Sequence, residues 1–70
     1  MPSAEQWIEA YAAGLGLPAP SEADREAVLQ LASVAAHASE RRAAPIACWL
    51  AAQAGVSLDE AIVLAQELSG

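Results

Sequence analysis

The sequence has no lysine, asparagine, threonine or phenylalanine, and only one cysteine, one histidine and three aromatic residues in seventy. Each shortage excludes something. A lone cysteine, Cys48, cannot form an internal disulfide framework, so a reducing cytoplasmic setting is the default expectation. One cysteine and one histidine cannot assemble the ligand spacing of a zinc or iron–sulfur site, so no metal or other cofactor is expected. Three arginines against nine acidic residues leave a net charge of −6, which opposes the counterion-release attraction that nucleic-acid binders and anionic membranes exploit. Neither is an expected partner. The longest uncharged stretch, residues 43–58, is broken by Pro45, Gln53 and Gly55 and falls short of the roughly 20 apolar residues of a bilayer span. The opening Met1-Pro2-Ser3-Ala4-Glu5 has neither the basic nor the apolar region of a secretory leader.

Apolar residues are plentiful at 56%, but 19 of those 39 are alanine. A chain of this length forms one domain, with a thin core for its composition. The pattern predicts an all-α, single four-helix domain. Ser3 with Gln6 three residues on is a capping box that opens a first helix over residues 4–15. Trp7, Ile8, Tyr11 and Leu15 form its apolar stripe, and Gly16 supplies a left-handed stop. Pro18 and Pro20 impose an extended link. Ser21 caps a second helix over residues 22–40, acidic at its start and followed by Arg41 and Arg42, in the order the helix dipole favours. Pro45 suits the first position of a third helix over residues 45–54. That helix is apolar on almost every side, which predicts that it is central, with Ala47 and Ala51 so closely packed that leucine at either site would destabilise by overpacking. Ser57 and Glu60 form a second capping box, opening a last helix over residues 58–68. Trp7 and Trp49, on stripe positions, are expected core anchors. Leu29 and Val63 stand off their stripes and mark a small dimer or partner contact.

No constellation of catalytic residues emerges. His37 is the natural acid–base candidate, but its only neighbour of nucleophilic type by local spacing is Ser33, an i−4 pairing too common to point to chemistry. His37 and Arg41 read instead as helix-end or partner-contact residues beside the Ala43-Ala44-Pro45 turn. Cys48 reads as a small hydrophobe. The segment Gly55-Val56-Ser57-Leu58-Asp59 resembles the attachment motif of acyl carrier proteins, except that Val56 stands where the aspartate belongs and Ser57 lies far beyond mid-chain. An acyl- or peptidyl-carrier-like role for Ser57, or a small enzyme centred on His37, is therefore the alternative to a non-catalytic module.

Val34-Ala35-Ala36-His37, Arg41, Ala43-Ala44-Pro45-Ile46 and Trp49-Leu50, with Trp7 and the Leu15-Gly16-Leu17 turn, carry a further resemblance. Over nearly its whole length the chain resembles a family of small bacterial all-helical domains of uncharacterised function. Members occur alone or appended to molybdopterin guanylyltransferase, which completes the guanine-dinucleotide form of the molybdenum cofactor. The resemblance implies a protein partner among molybdenum-cofactor enzymes, and it transfers His37, Arg41 and Pro45 as shared positions without any catalytic residue. The chain departs from the pattern at Arg42, more often proline there, and at Ala52, more often glycine. As an assembly, a monomer or weak homodimer is expected.

Overall fold

The computed structural model describes residues 3–70. Among them are four helices and no strand: α1 (Ala4–Gly14), α2 (Glu22–Ala38), α3 (Ala43–Ala54) and α4 (Leu58–Leu68). The caps anticipated from the sequence form. Gln6 donates its N–H to the Ser3 hydroxyl at 3.1 Å, and Ser3 returns its own N–H to the Gln6 side chain at 3.0 Å. Ser21 and Ser57 accept from the N–H groups of Asp24 and Glu60, each at 3.1 Å. At the Ser57 end, the serine half of the box is the part that forms. After α1, the Leu17 N–H reaches the Ala12 carbonyl at 2.9 Å and the Gly16 N–H reaches that of Ala13 at 3.0 Å. That Schellman pairing requires the positive φ of 74° which Gly16 adopts without a side-chain clash.

Three helix boundaries differ from the expected ones: α1 ends at Gly14 with Leu15 as its cap, one residue short, and the other two share a reason. The chain leaves helical geometry at Ser39 (φ −137°, ψ −97°), so α2 stops at Ala38 instead of reaching residue 40. The carbonyls of Glu40 and Arg41 then accept from the N–H groups of Ala43 and Ala44, at 2.9 and 3.1 Å. These bonds open α3 two residues early. Pro45 therefore occupies the third helical position instead of the first, still inside the turn whose N–H groups have no intrahelical acceptor.

The centre of the molecule is α2. Both α3 and α4 pack against it, whereas they barely meet each other, and α1 packs closely on none of the three. Among the described residues the buried side chains are Ala12, Leu31 and Ile62. The expectation that α3 is the central element is corrected here: none of its residues is buried. Its uniform apolarity arises because alanine needs no partner to be tolerated, and a helix rich in alanine reads as buried whether or not it is. Trp7 and Trp49 are likewise not core anchors, being 57% and 60% exposed.

Leu31→Ala, at the floor of the groove that α3 and α4 line, should cost about 2–4 kcal/mol. Ala51→Leu, in contrast, faces an open groove; its thermal midpoint should stay within the shift of about 0.5 kcal/mol typical of surface changes, instead of showing the overpacking that composition implied. Thermal unfolding of the two variants by circular dichroism checks the contrast.

Candidate functional site

The polar candidates do not converge. His37 lies in the last turn of α2, exposed, with Nδ1 2.7 Å from the Ser33 carbonyl and 3.2 Å from the Ser33 hydroxyl. A carbonyl only accepts, so the shorter contact assigns the proton to Nδ1. Half of the imidazole is thus committed to its own helix. Arg41 does not project from α2 as the sequence implied. It lies in the turn between Ser39 and α3, ahead of the positive end of the α3 dipole, where a cation is not favoured. Its neighbour Arg42 pairs with Glu40 at 2.7 Å in full solvent, and Arg41 itself forms no ion pair among the described residues. Pro45 is exposed in the first turn of α3. The Ser57 hydroxyl is the cap of α4. Among the described residues no group of three His, Cys, Asp or Glu is placed to hold a metal ion, and no helix is long and apolar enough to cross a membrane.

Cys48 is half-buried on the side of α3 that faces α2, with its sulfur 3.9 Å from the Val28 carbonyl oxygen. Burial pushes its thiol above the ordinary range, since the thiolate loses hydration there. The thiol is thus a weak nucleophile near neutral pH.

What the helices do bring together is apolar surface. α3 and α4 form the walls of a groove of about 330 Å³ floored by Leu31 of α2 and ended by Val56; Leu50 and Ala51 line one wall, Leu64 and Leu68 the other. Outside it, Ile46 and Trp49 continue the apolar surface of α3 into solvent. A second cleft of about 500 Å³ lies between α1 and the first half of α2, with Ile8 on one side and Val28 and Leu29 on the other, and Arg25 and Glu26 at its polar margin. α1 turns the rest of its stripe outward: Trp7 and Tyr11 stack at 5.0 Å between ring centroids, both exposed along with Leu15. Leu29 and Val63, singled out by position, are exposed too, but they belong to a much larger apolar surface that stripe arithmetic assigned to the core.

The accessible surface measures this. The chain exposes 5401 Å², whereas a folded monomer of 7.2 kDa exposes about 4,100 Å² by the usual scaling with mass. The Cα radius of gyration, 12.8 Å, likewise exceeds the roughly 11 Å of a domain of this length. The chain thus exposes about 1,300 Å² more than the scaling gives for a monomer of its mass.

A family model for a domain of unknown function (DUF6457) matches residues 1–69. No curated protein and no solved structure matches.

Two outcomes check the polar assignments. Iodoacetamide should alkylate Cys48 more slowly than a free cysteine peptide at pH 8, the rates converging as pH rises. The same shift makes the thiol's stabilising contribution complete below the ordinary thiol range and progressively lost above it, because the unfolded chain ionises first. His37→Ala should cost on the order of 0.3–1 kcal/mol at the end of α2, while Arg41→Ala, lying outside that helix, should leave thermal stability unchanged or slightly raised.

Proposed function

We propose, for a chain that belongs to this family of domains of unknown function, a non-catalytic accessory role exercised by binding protein through the apolar band of α3 and α4. The observation that carries this reading is the uncovered surface: about 1,300 Å² beyond a monomer's share exceeds the roughly 800 Å² that each partner contributes to a standard interface. The charge distribution supports it. α3 contains no charged residue from Ala43 to Ala54, and depletion of charge at the centre with polar residues at the margin is how interface cores differ from ordinary surface. Exposed Trp49 supplies the type of side chain that dominates binding energy at such sites.

By the family resemblance, the enzyme served is molybdopterin guanylyltransferase, and the setting is the cytoplasm, where Cys48 stays reduced. His37, Arg41 and Pro45 flank the α2–α3 turn at the edge of the band, as rim contacts. Titration calorimetry of the chain against purified guanylyltransferase tests the assignment. Binding should be saturable and weakened about 30-fold or more, the equivalent of roughly 2 kcal/mol, by Leu50→Glu, whose exposed position leaves the fold intact. Absence of heat with the wild-type chain, or an affinity indifferent to Leu50→Glu, overturns this reading.

A further inference from the structure

We infer that the groove between α3 and α4 is the seat for α1 of a second copy of this chain, so that two copies exchange their first helices' apolar faces reciprocally. This rests on the reading of α3 and α4 as a protein-binding surface, and on it a second copy competes with the guanylyltransferase for the groove. Four observations carry it.

The first is vacancy of a definite shape. α3 and α4 both lean on α2 but barely touch each other, leaving an apolar trough floored by Leu31 where a four-helix bundle would hold a further helix. The second is an unpartnered helix in the same molecule. At 100° per residue, the α1 stripe spans about 140° from Trp7 through Tyr11, Leu15 and Ile8 to Ala12. Only Ile8, half-buried, and Ala12, buried, are covered at its edge. The helix can thus hold its own chain by that edge while offering Trp7, Tyr11 and Leu15 outward as anchors spaced four residues apart, the spacing of helix-in-groove recognition. The third is area: the chain exposes about 1,300 Å² more than the scaling gives for its mass, its exposed large apolar residues include Trp7, Tyr11 and Leu15 on α1 and Leu50, Leu64 and Leu68 at the groove, and a reciprocal pair covers both sets at once, as a two-fold interface requires.

The fourth is charge. On α3 the groove-facing Ala47 is followed one residue clockwise, seen from the N-terminus, by Cys48 against α2. On α4 the groove-facing Ala61 is followed likewise by buried Ile62. The same sense on both walls means that they run in opposite directions. On α4 the outer lip then carries Glu60 and Glu67, whereas on α3 the lip is uncharged Ile46 and Gln53, preceded by Arg41 and Arg42. An α1 seated with Tyr11 towards the floor has Glu5 and Glu9 on one flank and Gln6, Ala10 and Ala13 on the other. Laid parallel to α3, it turns its uncharged flank to Glu60 and Glu67 and its acidic flank towards the α3 side, with Glu5 at the end where Arg41 stands without an ion-pair partner. Laid the other way, it sets four carboxylates against one another. The geometry therefore selects one direction, and two chains of charge −6 meet without apposing their acids.

Sedimentation equilibrium of the full chain tests the pairing. At roughly 100 µM, where a micromolar interface is filled, the wild-type chain should be a dimer. Tyr11→Glu on the helix and Leu64→Glu on the groove wall should each weaken self-association about 30-fold or more, with helicity by circular dichroism retained because both residues are exposed. Mixing the two variants should restore a heterodimer, since one intact helix then meets one intact groove. Glu5→Arg combined with Arg41→Glu should associate more tightly than either variant alone. A monomeric wild-type chain overturns the pairing, as does a dimer that survives Tyr11→Glu or a mixture that fails to complement. A monomer that still binds the guanylyltransferase through Leu50 overturns the pairing while sparing the accessory role; a dimer indifferent to that enzyme upholds the pairing and removes the enzyme assignment alone.

Discussion

Everything in this molecule hangs on the contact of α3 and α4 with the middle of α2, where Leu31 is almost wholly enclosed. Folding has to recover the conformational entropy of about seventy residues, at roughly 1–2 kcal/mol each for the backbone alone. Here it does so with three buried side chains among the described residues, one of them alanine. The capping hydrogen bonds of Ser3, Ser21 and Ser57 help α1, α2 and α4 to start, but helices of eleven or twelve residues, capped or not, are marginal without an apolar face to cover. The architecture is therefore a spine with attachments, in which α2 organises its neighbours and none of them closes over another.

That spine explains why so much apolar surface stays uncovered. A domain with a complete core can present any face to solvent, and its exposed leucines mean little. When Trp7, Tyr11, Leu50, Trp49 and Leu64 all stand in water on a chain so short, the exposed set is itself the missing half of a core. The polar residues that first attract a chemical reading sit apart from it. His37 turns back to its own helix, Ser57 caps, Cys48 is shielded, and Arg41 stands alone in a turn.

Much of the local structure was legible from the residues. Ser3, Ser21, Ser57 and Gly16 mark helix ends by chemistry that acts over three or four residues, and each does what its position implied. The boundaries around Ser39 and Pro45 escaped because they depend on which helix receives the carbonyls of Glu40 and Arg41, a competition that charge order does not decide. The tertiary arrangement escaped for a different reason. Periodicity shows that Trp7 and Trp49 lie on apolar faces but not whether their own chain supplies the cover. Alanine compounds the ambiguity, since Ala47 and Ala51 satisfy a buried wall and an open groove equally well. The accessible area could have raised the question from length alone: few large apolar residues in seventy positions leave little with which to close a fourth side.

The alanines of the groove walls have one more consequence. Apart from glycine, alanine is the smallest residue a helix can carry, and glycine there weakens the helix by roughly 1 kcal/mol. Nearly every substitution open to Ala47, Ala51, Ala61 or Ala65 therefore makes the trough shallower, and almost none makes it deeper. The groove is already at its widest, so changes along its walls act as a one-way ratchet on the size of side chain it admits. A larger residue at any of these positions narrows the groove while the helices and their contacts with α2 stay as they are.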